Sequence, residues 1–283
     1  MNRFDVLDDM VLDNTTGLVW TRNASLSDFP MTWNEAFAFV EDLNQSGLYG
    51  YKDWKLPERK ELFSLISHET VNPCLPPGHP FVNVFTGYYW TATSCARLPE
   101  QAWYIHLGGA RVFKGMKHGS YMMWPVRSAQ NRDGRPGAAE GEAHRFTAGR
   151  HDVADHATGL IWMKDADIAR TAMDWKTAFA FVAQLNREAK FGFSDWRVPT
   201  IAELESLVDP GRHSPALPAG HLFAEVKDFY WSSTTSMYDP AYAWTLYLRD
   251  GAVGVGYKPL TEFHLWPVRG ERANFSVHTG DDS

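Results

Sequence analysis

Two cysteines in 283 residues are too few for a disulfide framework. Neither Cys74 nor Cys95 sits in a Cys-x-x-Cys or Cys/His cluster of the kind that announces structural zinc, so no metal is expected. A single disulfide between them stays open if the chain is exported; two buried thiols is the other reading. No apolar run approaches the ~20 residues of a membrane span, so no insertion into a bilayer is expected. The opening Met1-Asn2-Arg3-Phe4-Asp5 has no apolar signal core, and the chain as written would stay in the cytoplasm. Positive charge is also short: 27 Lys and Arg stand against 34 Asp and Glu, a net charge of −7. The deficit is spread evenly, with 11 against 13 in residues 1–128 and 13 against 15 in residues 144–270. Binding to a phosphate backbone requires the opposite balance, so nucleic acid is excluded as a partner. Gly-x-Ser-x-Gly, His-Glu-x-x-His, a P-loop and a dinucleotide-binding glycine turn are all missing, which removes the common enzyme classes and their cofactors.

What the chain has in quantity is tryptophan. Its twelve tryptophans fall into two sets of six. Trp20, Trp33, Trp54, Trp90, Trp103 and Trp124 recur as Trp162, Trp175, Trp196, Trp231, Trp244 and Trp266. The offset is 142 residues, 141 for Trp90/Trp231 and Trp103/Trp244, and 142 again at the end. One deletion and one compensating insertion account for that drift. The period is far too long for a solenoid unit, so a whole domain has been duplicated. We place the first domain at 1–128, a flexible linker at 129–143, the second domain at 144–270 and a polar tail at 271–283.

Each copy repeats one order of local signals. Asp13-Asn14-Thr15-Thr16-Gly17 and Asp155-His156-Ala157-Thr158-Gly159 read as Asx-type turns feeding a short strand ending at Trp20 or Trp162, rather than as calcium loops. Thr32 and Asp174 are N-caps of a helix whose apolar positions are Ala36, Phe37, Val40 and Leu43, or Ala178, Phe179, Val182 and Leu185. Asn44 and Asn186 stand where that helix would be C-capped. Pro57 and Pro199 close an extended piece and open a second helix, where Glu61 and Glu203 are expected to make structural hydrogen bonds or ion pairs. After a proline-ordered loop at 71–86, Tyr88-Tyr89-Trp90 and Phe229-Tyr230-Trp231 begin β structure. The next strand alternates, placing Trp103, Ile105 and Leu107 in the core and Tyr104 and His106 outward. Gly108-Gly109 and Asp250-Gly251 are hairpin turns. Trp124-Pro125-Val126-Arg127 and its copy close each domain beside the strand ending at Trp20 or Trp162.

Taken in order, Asp-x-x-Thr-Gly-Leu-Val-Trp, Thr-Trp-x-x-Ala, Asp-Trp-x-Leu-Pro-x-x-x-Glu-Leu, Tyr-Trp-[Ser/Thr]-[Ser/Ala]-Thr, Ala-Trp and a terminal Val-Arg resemble the Lcl C-terminal domain family. The resemblance covers both copies nearly end to end. It implies an α+β, C-type-lectin-like fold in each, with two helices on a small, mostly antiparallel twisted sheet and long loops. It also implies export or surface attachment, in a family that includes bacterial adhesins and targets of diversity-generating retroelements whose variable residues lie on the lectin-like face. A more distant likeness is to the sulfatase-modifying, formylglycine-generating enzymes. Their chemistry requires a cysteine pair near the C-terminus; Cys74 and Cys95 lie far upstream, and the second copy has none. The carboxylate triplet by which calcium-dependent lectins hold sugar hydroxyls is missing as well.

The expected function is therefore a non-enzymatic binding or adhesion module for a glycan, glycoconjugate or protein surface, without a cofactor. A structural subunit of a surface assembly is the alternative, and a sulfatase-modifying type of enzyme comes last. Ligand contacts are expected where the copies diverge on the outward sheet face and the loop after it. Tyr104, His106, Arg111, Lys117 and Tyr121 form the first candidate patch; Tyr238, Tyr242, Tyr247, Arg249 and Lys258 form the second. Thr245 and Ala252 are expected to be outward as well.

Overall fold

A computed structural model describes residues 2–129 and 145–270. The linker expected at 129–143, beyond Ala129, and the tail expected at 271–283 lie outside the described residues. The chain divides into two compact units, and each is α+β.

In the first domain, β1 (Phe4–Leu7), β2 (Met10–Asp13) and β3 (Leu18–Thr21) lead to α1 (Trp33–Ser46) and α2 (Arg59–Ser64). Then follow β4 (Tyr88–Ser94), β5 (Gln101–His106), β6 (Arg111–Met116) and β7 (Val126–Ser128). The second domain repeats this as β8 (Phe146–Ala148), β9 (Asp152–Asp155), β10 (Leu160–Met163), α3 (Trp175–Arg187), α4 (Ile201–Ser206), β11 (Phe229–Thr235), β12 (Tyr242–Tyr247), β13 (Ala252–Tyr257) and β14 (Val268–Arg269). One sheet runs β1-β2-β3-β7, and its copy runs β8-β9-β10-β14. A separate antiparallel ladder joins β4, β5 and β6, and another joins β11, β12 and β13. The β1–β2 and β8–β9 hairpins are additions to the sequence reading.

Ten of the twelve tryptophans are buried; Trp33 and Trp175 at the helix starts are half-buried. A buried indole N–H needs an acceptor, and for three of the six pairs the copies supply equivalent ones. Trp33 and Trp175 donate to the Thr91 and Ser232 carbonyls, Trp90 and Trp231 to Met31 and Met173, and Trp124 and Trp266 to Thr21 and Met163.

Polar residues shared by both copies are structural. Asp13 is fully buried, accepts the Arg3 guanidinium at 2.9 Å and takes the Thr15 N–H. Asp155 does the same with Arg145 and Ala157, so the Asx turns carry ion pairs. Glu61 and Glu203 close capping boxes and accept Lys55 and Arg197. Asn44 and Asn186 are not C-caps. Their helices continue to Ser46 and Arg187, and each amide brackets the backbone of the next tryptophan, Trp54 or Trp196. The four bonds measure 2.8 to 2.9 Å. Phe37 and Phe179, expected to be apolar helix positions facing inward, are exposed and lie against Trp33 and Trp175.

The cysteines are free and buried. Cys74 donates its N–H to Leu107, just beyond β5, whereas Cys95 donates to Gln101 at the strand's start. Six extended residues separate those anchors by roughly 20 Å, against the ~7 Å Cα limit for a disulfide.

Candidate functional site

The β4–β6 ladder has two unlike faces. Tyr89, Trp103, Ile105 and Val112 on one face are fully buried. On the other, Trp90 and Ala102 join a core with Ala36 and Val40 of α1, while Tyr104 and Tyr121 are only partly covered. Beyond them the surface opens. Register places Tyr88 opposite His106, His106 opposite Arg111, and Tyr104 opposite Phe113.

Four rings converge there. Tyr88 lies 5.0 Å from Tyr104, 5.3 Å from Tyr121 and 4.7 Å from His106, centroid to centroid. Tyr104 and Tyr121 are 4.9 Å apart, and Tyr121 rests on the buried Trp90 at 4.4 Å. Tyr121 is fixed from below by paired backbone hydrogen bonds with Met31 and by lying over Gly115, where an added Cβ would sit 2.6 Å from its hydroxyl. Arg111 is exposed and Phe113 is 48% exposed. The strands Tyr88–Ser94, Gln101–His106 and Arg111–Met116 contain no carboxylate.

Burial and neighbouring side chains shift three of these groups. Burial, with Tyr121 and Tyr88 adding to it and Arg111 opposing, pushes the Tyr104 phenol up to about 12. Burial and Tyr88 also raise Tyr121. Burial, then Arg111, holds His106 below its ordinary value. The cluster thus groups three tyrosines, one histidine and one arginine.

The equivalent positions in the second domain are Phe229, Thr245, Tyr247 and Phe263. There Phe229 and Tyr247 are half-buried with their rings 5.3 Å apart, and Phe263 beside them is buried. Tyr247 lies down over Gly254, the ladder partner of Thr245, with a ring carbon 2.8 Å from where a Cβ would be. Phe263 covers Gly256 in the same way. Thr245 and Ala252, expected to face outward, are therefore 0% and 2% exposed.

Of the first candidate patch, Tyr104, His106, Arg111 and Tyr121 come together. Tyr88, which sequence reasoning missed, lies at their centre. Its neighbours Tyr89 and Trp90 belong to the shared scaffold, and only its hydroxyl distinguishes it from Phe229. Lys117 lies elsewhere, with Nζ 4.1 Å from the Trp33 ring; Lys258 holds the same position over Trp175, also at 4.1 Å. These two lysines are therefore a shared device. The second candidate patch does not assemble. Tyr242 and Tyr247 are five residues apart on one strand, which puts them on opposite faces about 16 Å apart. Tyr242 pairs instead with Tyr257 at 5.3 Å, and Tyr238 is 67% exposed in the preceding loop. Arg249 is exposed beyond the end of β12.

The second domain has a different polar cluster. Buried Asp167 accepts His264 Nδ1 at 2.8 Å and lies 3.4 Å from Lys227 Nζ. The first domain has Ser25, Met122 and Phe85 at these positions. Each replacement was visible in the aligned copies, but their convergence depends on loop geometry.

The geometry defines a tandem α+β protein in which a common scaffold carries a tyrosine- and histidine-bearing cluster with Tyr88 43% exposed in the first domain and a more apolar, more covered one in the second. The Lcl C-terminal domain family matches residues 9–127 and again 151–269. The chain belongs to that family and carries its domain twice. A comparison with curated proteins gave no match.

Proposed function

We infer that the chain is a non-catalytic carbohydrate-binding module of C-type-lectin-like architecture, and that its ligand lies on Tyr88, Tyr104, His106 and Tyr121 of the first domain. The single observation that carries this reading is the cluster of four polar rings, built on a scaffold whose second copy has Phe229, buried Thr245, Tyr247 and buried Phe263 at the same positions. The rings touch one another at 4.7 to 5.3 Å. A cage for a cation would need its rings spread around a guest sitting up to about 6 Å from each centroid. Rings in mutual contact make a platform instead. Such a surface suits the C–H face of a pyranose, with phenol hydroxyls at its margin to reach the sugar's oxygens. Arg111 at the edge, with no carboxylate on the strands, favours a sugar bearing an acidic group. Raised phenols and a neutral imidazole bind and donate hydrogen bonds; they are not activated nucleophiles.

A glycan array of neutral, carboxylated and sulfated sugars tests this directly. Wild type is expected to bind acidic pyranosides. Tyr104→Ala should weaken binding by about 5- to 30-fold, the ordinary consequence of removing an aromatic anchor, while Thr245→Ala leaves it unchanged. Equal effects of the two variants, or binding of no glycan, would overturn the reading.

A further inference from the structure

The first domain carries two surface features that the second lacks, and the two are complementary. One is the tip of the β1–β2 hairpin. Asp5, Val6, Leu7, Asp8 and Asp9 are all exposed, with Val6 at 48% and Leu7 at 42%. β1 is the outer strand of its sheet. The corresponding tip in the second domain is Thr147-Ala148-Gly149-Arg150-His151, with neither acid nor large apolar side chain. The other feature is the aromatic face with Tyr88, Phe113 and Arg111, which in the second domain becomes Phe229, Gly254 and Ala252.

Charge follows the same division. Residues 1–69 hold 12 Asp and Glu against 6 Lys and Arg, whereas residues 70–128 hold 1 against 5. In the second domain the corresponding counts are 10 against 8 for residues 144–211 and 5 against 5 for residues 212–270. Only the first domain is polarised; Arg111 is the cation on its aromatic face, since Lys117 lies over Trp33 and Arg127 is buried against Asp53, and the acidic apolar tip and this arginine-bearing face are absent together from the second domain.

We propose that the hairpin tip of one chain docks on the aromatic face of a second copy of this chain. Val6 and Leu7 supply apolar contact for Tyr88 and Phe113, and Asp8 and Asp9 face Arg111. Tip and face are different surfaces of one molecule, so the contact is head-to-tail and grows into open chains rather than closing as a two-fold dimer. The tip is small, which makes the association weak and dependent on screening. This contact uses the face assigned above to a carbohydrate but does not rest on that assignment, because its test contains no sugar.

Sedimentation velocity of the full chain decides it. At about 0.1 M salt, wild type should form assemblies that grow with concentration. At about 1 M salt, where the screening length falls from about 10 to about 3 Å, it should be monomeric. Arg111→Ala removes the receptor charge, and Asp8→Lys with Asp9→Lys reverses the tip; each variant alone should associate at least tenfold more weakly. An equal mixture of the two still holds one intact tip and one intact face, and should give dimers and nothing larger. Circular dichroism melts confirm that both variants are folded. Wild type that stays monomeric at low salt, variants that associate like wild type, or a mixture that stays monomeric would each overturn the proposal.

Discussion

Gly115 and Gly256 occupy equivalent strand positions, and replacing each with alanine separates the site from the scaffold. Neither glycine has a positive φ, so alanine is tolerated by the backbone and only space matters. At Gly256 the new methyl would lie 2.5 Å from Phe263 and 2.7 and 2.8 Å from the fully buried Trp231 ring. That ring has nowhere to go. Overpacking of this kind costs about 1–3 kcal/mol, and lower unfolded-state entropy returns about 0.4–1 kcal/mol. A net loss of about 1–2 kcal/mol corresponds to roughly 4–10 °C in the melting temperature of a domain this size. At Gly115 the methyl meets the outer end of Tyr121, with contacts of 2.6, 2.9 and 3.1 Å. Tyr121 is only partly covered and can swing outward, so Gly115→Ala should cost less than about 1 kcal/mol. The swing separates Tyr121 from Tyr104. Because Tyr121 is one of the groups that raise the Tyr104 phenol to about 12, that phenol should titrate closer to its ordinary 10. Calorimetry of the full chain reads the first effect, and ultraviolet titration of the phenols reads the second. An unchanged second-domain melt in Gly256→Ala, equal destabilisation by both variants, or an unmoved Tyr104 would refute the reasoning.

Asn44→Ala and Asn186→Ala each remove two hydrogen bonds to a tryptophan backbone. Each should destabilise its own domain by about 2–4 kcal/mol in urea, since partly buried backbone groups are left unpaired; losses below about 1 kcal/mol would contradict the bridging role. Burial and then Arg111 lower His106, so the folded state favours the neutral ring. Its contribution to stability is present above the ordinary 6.5 and is lost as pH falls through the lower folded value. Proton NMR should find the His106 midpoint below 6.5 and moved upward in Arg111→Ala; a midpoint at or above 6.5 in wild type contradicts the geometry. With both cysteines free, two thiols should react in denaturant without prior reduction, and a reducing agent should leave the melt unchanged.

The duplicated scaffold was legible because large rings and their spacing are core properties that both copies must keep. Capping signals at Thr32 and Asp174 were legible for the same reason: they act within a few residues. Asn44 misled because one short amide suits both a helix end and a bridge to a strand ten residues on. Alternation along β12 correctly separated faces but did not give depth. Thr245 is buried because glycines on the neighbouring strand let Tyr247 and Phe263 lie flat, a long-range effect with no local signature. Lys117 and Lys258 stood in loops of low similarity, and only the structure shows them performing the same task over Trp33 and Trp175. The first patch was largely readable because its residues are close in register on β5 and β6. The second failed because Tyr242 and Tyr247 were grouped by type, although an odd spacing in a strand sends them to opposite sides.

The central claim is that the aromatic face of the first domain receives the ligand. The chain has eleven tyrosines, and fluorine NMR of the 3-fluorotyrosine-labelled protein, titrated with the tightest glycan from the array, reports on all of them at once. The account predicts that the Tyr88, Tyr104 and Tyr121 resonances shift together with one saturation curve, while Tyr238, Tyr242, Tyr247 and Tyr257 stay in place. Shifts confined to the second-domain tyrosines, or spread equally over both domains, would contradict it.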